Sequence, residues 1–246
     1  MTDFLYPFLE GDERDADSLL ADLARSAEEK RTASASLRRA TLVERAADLA
    51  VVAEAMAGRF DRGGRLFTFG NGGSATDADG AAGLFGHPPH GRGLPARSLV
   101  ADPAIVTALA NDVGVELVFS RQLMAAAGPD DIALGLSTSG SSTNLLRAFG
   151  EARRLGMLTV GVAGYDGGTM GSGGAVDHCL VVGSDSVHRI QETQAALVLD
   201  LWERVQRLVG DGPISSISPR VSIDPTDPTD STGPADPADP TDRDGR

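Results

Sequence analysis

The sequence predicts an α/β fold in which helices sandwich a five-stranded, mostly parallel, doubly wound sheet. Two observations carry this prediction: short apolar runs alternate with amphipathic stretches from residue 65 onward, and the third and fourth of these runs are mostly apolar. Mostly apolar runs are typical of strands buried on both faces of a parallel sheet, and the alternation is typical of βαβ units. The predicted strands are residues 65–69, 97–101, 131–136, 158–163 and 178–182.

Two helices are predicted before the first strand and five after it. Residues 15–29 and 37–60 carry apolar side chains at helical spacing, and Asp-Arg-Gly-Gly at 61–64 supplies the glycine expected at a helix C-terminus. The apolar stripes of these first two helices exceed what one sheet covers, so we expect them to pack against other subunits of a homo-oligomer. The helices predicted after the first strand are residues 74–85, 103–109, 115–126, 141–154 and 187–209.

Composition and charge exclude several classes of protein. The 246 residues suit one α/β domain or two small ones. The net charge of −13 argues against a nucleic-acid partner, which would be bound through its phosphates. No apolar run reaches about 18 residues, so no membrane-spanning segment is expected. The single cysteine, Cys179, excludes an internal disulfide and a cysteine-rich zinc site. The first residues lack the basic start of a secretory signal, so we expect a cytoplasmic protein.

The folded domain is expected to span residues 15–212, between an N-terminal extension (1–14) and an acidic tail (213–246). Residues 224–246 contain seven aspartates and two arginines, and proline recurs every few residues. Such a segment cannot bury enough apolar surface to offset the entropy of ordering, so we expect disorder there. The tail either solubilises the protein or binds a partner.

A glycine-rich loop follows the first predicted strand. It reads Gly-Asn-Gly-Gly-Ser-Ala at 70–75 and opens a helix. Glycines allow positive φ angles and a close approach of the backbone to an anion, and the amides at a helix start point toward that anion. The loop also matches the dinucleotide fingerprint G-x-G-x-x-A. A phosphate site, a dinucleotide site and a tight turn without a ligand are therefore the three interpretations.

A hydroxyl-rich loop follows the third predicted strand. Residues 137–144 read Ser-Thr-Ser-Gly-Ser-Ser-Thr-Asn, directly before a helix. Hydroxyls and N-terminal amides together suit a phosphate monoester, and six hydroxyls exceed what helix capping needs. A dinucleotide fold needs no second loop of this kind and usually has an acid about twenty residues after the glycines. Residues 89–95 contain no acid, so the two loops together favour a sugar phosphate.

These loops and three further segments resemble the SIS (sugar isomerase) domain family, and within it the phosphoheptose isomerase group. The matching segments, which occur in the family's order, are GNGGSATDA (70–78), ALANDVG (108–114), STSGSSTNLLRAF (137–149), GYDGG (164–168) and RIQET (189–193). The resemblance covers residues 15–209. It implies a five-stranded α/β sandwich, and a homotetramer whose first helices form a central bundle and whose sites lie between subunits. It also implies the conversion of sedoheptulose 7-phosphate to a heptose phosphate.

The resemblance implies a set of ligand-binding residues at the matching positions. The residues expected to hold the phosphate are Ser137, Thr138, Ser139 and Ser142. The residues expected to contact the sugar or its phosphate from elsewhere are Asn71, Gly72, Ser74, Asp112 and Gln191.

The sequence departs from the isomerases at the positions that carry out the reaction. The isomerases place a His and a Glu four residues apart on the helix after the first loop, and a His eight residues after the Gln of the last helix. In this chain those positions are Gly80, Leu84 and Leu199. Aldose–ketose isomerisation needs an acid and a base, and the same side chains with the Gln form the family's metal site. Glycine and leucine offer neither a proton nor a lone pair, so no metal and no cofactor are expected.

Several other polar side chains could substitute for the missing acid and base. His188 opens the last helix near Gln191, and it is the candidate catalytic residue to test. The remaining ones are expected to have other roles, on helix faces, in a Pro/Gly loop or in a strand: Asp77, Asp79, His87, His90, His178 and Glu192.

Three functions follow from these observations. In the first, the protein binds a phosphosugar without turnover, as a sensor, a regulator or an assembly partner of another protein. In the second, it is a sedoheptulose 7-phosphate isomerase with a relocated acid and base. The third is a nucleotide-binding enzyme, which rests on the glycine-rich loop alone.

Overall fold

Five parallel strands form the centre of the computed structural model, which describes residues 16–210. The strands are β1 (Leu66–Gly70), β2 (Ala96–Ser98), β3 (Ile132–Ser137), β4 (Leu158–Gly164) and β5 (His178–Val182). Their order across the sheet is β2-β1-β3-β4-β5, and every neighbouring pair is parallel. The α/β fold and the five-stranded sheet predicted from the sequence are confirmed.

Eight α-helices and one 3-10 turn (Val115–Leu117) surround the sheet in the described part of the chain. The helices are α1 (Ala16–Glu44), α2 (Ala46–Asp61), α3 (Gly73–Gly86), α4 (Pro103–Val113), α5 (Val118–Ala126), α6 (Thr143–Arg154), α7 (Gly168–Gly171) and α8 (Val187–Val209). Local chemistry explains several ends: Asp102 caps α4 by accepting from the amides of Ala104 and Ile105, and Pro103 takes the first helical position. None of the helices within 16–210 has both the length and the apolarity to cross a membrane.

An apolar layer lies on each face of the sheet. Strands β1, β3 and β4 are buried along their whole length; for β3 and β4 this was predicted from their mostly apolar sequences. On one face they pack against α2, α3 and α8, with Met56, Phe85 and Trp202 fully buried. On the other face they pack against α5 and α6, where Phe69 lies beside Phe119 and Phe149 with ring centroids 5.5 and 5.2 Å away. Helices α3 and α6, which follow β1 and β3, therefore lie on opposite faces.

The strand order places a crevice between β1 and β3. The chain runs outward in one direction from β1 to β2 and in the other from β3 to β5, so the order reverses between these two neighbours. Ligands of open α/β sheets bind at such a switch point, beyond the carboxyl ends of the strands. Gly70 pairs with Leu136 at that edge, so the glycine-rich and hydroxyl-rich loops leave the sheet side by side.

Several predicted boundaries were wrong. Helix α1 continues through residues 30–36, where a break was expected, because this segment holds no Gly or Pro to end it. The helical backbone is interrupted only at Arg45, between α1 and α2. The guanidinium of Arg45 donates to the carbonyl of Val181. Strand β2 covers three residues instead of 97–101, and α7 was not predicted. The predicted N-terminal extension (1–14) and acidic tail (213–246) lie outside the described residues, and the cytoplasmic location stays a prediction.

Candidate functional site

The glycine-rich loop makes a tight turn between β1 and α3. Gly72 caps α3 with a φ of 55°, a left-handed conformation that favours glycine. A Cβ on Gly70 would overlap the carbonyl oxygen of Ser74. Ser74 is buried, and the Thr68 hydroxyl donates to the carbonyl of Ala78 at 2.7 Å, which holds the first turns of α3 against β1. Asn71 is exposed at the mouth of the turn.

The hydroxyl-rich loop gathers serine side chains at the start of α6. The Ser137 hydroxyl oxygen lies 3.3 Å from those of Ser139 and Ser142, and it accepts from the amide of Gly140 at 3.1 Å. Ser142 precedes α6 without capping it through its side chain. The half-buried Thr138 follows directly after β3. Three of the four residues predicted to hold a phosphate therefore form one hydroxyl cluster beside the N-terminus of a helix.

The segment 164–168 supports the hydroxyl-rich loop from the side of β4. Gly140 has a φ of 63°, and a Cβ there would overlap the carbonyl oxygen of Gly167. The amide of Thr169 donates to the Ser141 hydroxyl at 3.0 Å. The hydroxyl-rich loop and this segment fit together only because glycines place no side chain between them.

A reciprocal pair of side-chain amides joins the two loops. The Asn71 amide nitrogen donates to Oδ1 of Asn144 at 2.8 Å, and the Asn144 amide nitrogen donates to Oδ1 of Asn71 at 2.9 Å. Asn144 is buried in the first turn of α6. It was not among the predicted site residues, although it lies within the hydroxyl-rich segment that was singled out.

Helix α8 contacts both loops through two glutamines. Gln191 is half-buried and lies against Gly73, where a Cβ would overlap its side-chain nitrogen. Gln194 is fully buried, and its amide donates to the carbonyls of Ser137 and Val162, both at 3.2 Å. The sequence singled out Gln191 but missed Gln194. Its position three residues later on the same helix was the signal that could have found it.

Asp112 stands apart from these loops. It is exposed near the end of α4, and its carboxylate accepts from the side-chain amide of Asn111 at 2.9 Å. Helix α4 packs mainly on the 3-10 turn and on α5. The hydrogen bonds that join the two loops do not include Asp112, and its contact with a sugar stays a prediction.

A cavity of about 180 Å³ lies between α3 and α8, beside β3. Apart from two polar side chains, Thr76 and Asp77, its lining is apolar or bare: Gly80, Ala81, Leu84, Leu136, Ala195 and Val198. Oδ2 of Asp77 is buried and has no hydrogen-bond partner among residues 16–210. Burial raises the pKa of the Asp77 carboxyl, and a hydrogen bond with Gln191 opposes this rise.

The side chains at this cavity do not fit the metal that the resemblance implies. Gly80 and Leu84 line it without a donor atom, and Leu199 is 47% exposed and lines a different groove, between α1 and α8. Thr76, Asp77 and Gln191 are the side chains with oxygen atoms that remain nearby. Within the described residues, no three His, Cys, Asp or Glu side chains form a group that could hold a metal ion.

The histidines occupy separate parts of the structure. His188 is exposed in the first turn of α8, three residues before Gln191. His90 packs edge-on against Trp202, with ring centroids 4.9 Å apart, near the other end of α8. His178 is half-buried on β5, the edge strand, and His87 follows α3 at an exposed position. Of the four, His188 is the closest in sequence to Gln191, which lies against the glycine-rich loop.

Comparisons with known proteins agree with this geometry. The family model described as the SIS domain matches residues 31–164. A protein of Roseiflexus sp. (strain RS-1) named phosphoheptose isomerase is 41% identical over 180 residues, which cover 71% of this chain and 89% of the relative. One of Helicobacter pylori (strain P12) with the same name is 43% identical over 146 residues, covering 58% and 75%.

Two solved structures resemble most of the described fold. A phosphoheptose isomerase from Francisella tularensis aligns with a TM-score of 0.70 at 28% identity, covering 75% of this chain and 98% of its own. One from Neisseria gonorrhoeae aligns with a TM-score of 0.70 at 27% identity, covering 75% and 99%.

Proposed function

The chain belongs to the SIS domain family, among proteins like phosphoheptose isomerase, and from that premise we propose that it binds a sugar phosphate without isomerising it. The relatives that carry the name phosphoheptose isomerase span most of the described residues. Their name supports a phosphosugar as the class of ligand. The residues of this chain's own cavity argue against the reaction.

The phosphate half of the proposal rests on the hydroxyl cluster of Ser137, Ser139 and Ser142. Their oxygens lie 3.3 Å apart in two pairs, next to the start of α6. Hydroxyls can turn their hydrogens toward an anion, and the amides of a helix N-terminus add donors and a favourable dipole. Ser142 leaves its hydroxyl free of a capping bond. This arrangement suits a dianionic phosphate monoester, with Thr138 beside it and Asn71, Gly72 and Ser74 across the crevice.

One observation carries the non-catalytic half: the cavity between α3 and α8 is lined by Gly80 and Leu84. Moving a proton between adjacent carbons requires an acid and a base within hydrogen-bond reach of the sugar. Neither side chain can donate or accept a proton. A site that holds substrate and transition state equally well does not raise kcat, so binding by the loops alone leaves the reaction slow.

The exposed surface of the first two helices supports assembly into an oligomer. Large apolar side chains are exposed on α1 and α2, among them Leu20, Leu23, Val43 and Val51. Such a surface is typical of an interface between subunits. We propose a homotetramer that responds to a sugar phosphate as a sensor or regulator, with a further protein as partner of the assembly. Nucleic acid is not the proposed partner, because the chain has a net charge of −13.

The alternative is an isomerase with a relocated acid and base. One observation favours it: the Asp77 carboxyl lines the cavity with a raised pKa, and general acids in enzymes are tuned in this way. His188, one helical turn before Gln191, is the second group available. In that case both Asp77→Asn and His188→Ala would reduce turnover.

Titration calorimetry tests the binding proposal. The chain is titrated with sedoheptulose 7-phosphate, inorganic phosphate and NAD, and the same is done with Ser142→Ala. We expect the sugar phosphate to bind and the dinucleotide not to bind. Loss of the Ser142 hydroxyl should cost about 1.5–3 kcal/mol of binding free energy, the range for a hydrogen bond to a charged group. Unchanged affinity in Ser142→Ala would contradict the proposed phosphate site, and tight binding of NAD would favour the nucleotide alternative.

A further inference from the structure

The start of α6 determines how the side chain of Asn144 is oriented. The backbone amide of Leu145 donates to Oδ1 of Asn144 at 3.0 Å. A backbone N–H can only donate, so the atom that faces it must be the oxygen of the Asn144 side chain. The amide nitrogen of Asn144 is thereby directed toward the other loop.

This orientation passes from Asn144 to Asn71. Oδ1 of Asn144 accepts from Nδ2 of Asn71 at 2.8 Å, and Nδ2 of Asn144 donates to Oδ1 of Asn71 at 2.9 Å. If Asn71 were turned over, two nitrogens and two oxygens would face each other. A backbone amide of α6 therefore sets which end of the Asn71 side chain is the donor, across 73 residues of sequence.

The pair leaves part of Asn71 free for a ligand. A side-chain amide has two N–H groups and an oxygen with two lone pairs. Asn144 uses one N–H and one lone pair of Asn71, and Asn71 is exposed at the crevice between β1 and β3. Asn144 itself is buried, so it reaches a ligand only through its neighbour.

We propose that Asn144 is a positioning residue, which orients Asn71 for the sugar of the bound sugar phosphate. This rests on the proposed function, because it presumes a sugar in the crevice. The phosphate is held by the hydroxyl cluster and does not depend on the pair. The sugar and the phosphate therefore respond differently when Asn144 is changed.

A double-mutant cycle tests the proposal. Dissociation constants for sedoheptulose 7-phosphate and for inorganic phosphate are measured with the unaltered full chain, Asn71→Ala, Asn144→Ala and the double variant. Each single change should raise the dissociation constant for the sugar phosphate about fivefold, which corresponds to the loss of one net hydrogen bond. The double variant should bind the sugar phosphate no more weakly than Asn71→Ala alone. The dissociation constants for inorganic phosphate should agree within about twofold among all four chains. If Asn144→Ala does not fold, Asn144→Ser replaces it.

Gln122→Ala is the matched control. Gln122 is another buried side-chain amide, which donates to the carbonyls of Leu99 and Val118 away from the loops. Its loss should lower the melting temperature and leave both dissociation constants unchanged. A purely structural role of Asn144 would give the same pattern as this control.

Three outcomes overturn the inference while the proposed function stands. They are an Asn144→Ala variant with unaltered sugar phosphate affinity, additive losses in the double variant, and an equal loss for inorganic phosphate. Failure of the unaltered chain to bind the sugar phosphate contradicts the proposed function itself, and the inference falls with it.

Discussion

Gly73 and the side chain of Gln191 are in such close contact that a Cβ atom on Gly73 would overlap the amide nitrogen of Gln191. The first residue of α3 thus packs directly on α8. Gln191 in turn lowers the pKa of the carboxyl of Asp77, which lines the cavity. The glycine therefore allows α8 to approach the loop that follows β1, and any side chain there must displace Gln191.

Gly73→Ala should weaken sugar phosphate binding about tenfold, because the displaced amide no longer reaches the crevice. Gln191→Ala in the same chain should relieve the overlap, so that adding Gly73→Ala causes no further loss. The control is Gly83→Ala on the same helix, where a Cβ meets nothing within 4 Å. That change should leave affinity unaltered and stabilise the fold by up to about 1 kcal/mol. Calorimetry and thermal melts measure both effects; equal behaviour of the two alanine variants would contradict the account.

Asp131→Ala should lower the free energy of unfolding by about 2–3 kcal/mol, because it removes hydrogen bonds to a buried carboxylate. Asp131 accepts from the backbone amides of Arg65 and Gly128 at 2.7 and 2.8 Å, and pairs with the Arg65 guanidinium at 2.8 Å. Asp130→Ala is the control, since Asp130 pairs with Arg62 at the surface. This substitution should lower the free energy of unfolding by less than about 1 kcal/mol. Urea titration separates them, and a similar cost for both would be inconsistent with the packing described.

Asp77→Asn should stabilise the fold increasingly as the pH rises. Burial raises the pKa of Asp77 above its value of 3.8 in the unfolded chain. The native state then holds a proton that the unfolded state releases, so this residue's contribution to stability falls as the pH rises from 3.8 through the native pKa. Melting temperatures of both chains at pH 4 and pH 7 measure the difference. Asp79→Asn, at an exposed position of the same helix, should not reproduce the gain; a gain independent of pH would contradict the assignment.

Val43→Lys should shift the assembly toward smaller species. Val43 is 75% exposed on α1. A lysine at this position would carry a charge, whose burial between subunits is unfavourable. Light scattering at micromolar concentration should give a tetramer for the unaltered chain. Met124→Lys, at an exposed position of α5 on the opposite face of the sheet, should leave the tetramer intact. A monomeric unaltered chain would refute the proposed assembly.

Sequence periodicity predicted the elements well where packing is regular. The bounds of α8 matched 187–209, because its apolar spacing continues to the glycine that ends it. The break expected in residues 30–36 was wrong, because local composition there is compatible with a continuous helix; the interruption lies at Arg45 instead.

Part of what the structure brings together at the candidate site could be identified from the sequence. The two loops could be identified because glycine and clustered hydroxyls have chemical meaning at the end of a strand. Gln194 and Asn144 were missed, although one lies three residues after Gln191 and the other within the hydroxyl-rich segment. Their roles depend on partners 57 and 73 residues away, and periodicity reports which side chains are buried, not what they contact. The cavity likewise appears only when α3 and α8 are brought together.

Turnover of sedoheptulose 7-phosphate is the measurement that tests the central claim most directly. Purified chain is incubated with millimolar substrate, with and without added zinc, and the heptose phosphate product is followed over hours. A positioned acid or base contributes about 10²–10⁴-fold each, and Gly80, Leu84 and Leu199 supply neither. We therefore predict binding without detectable conversion. Conversion at about one turnover per second or faster, within the ordinary range of enzymes, would contradict the account.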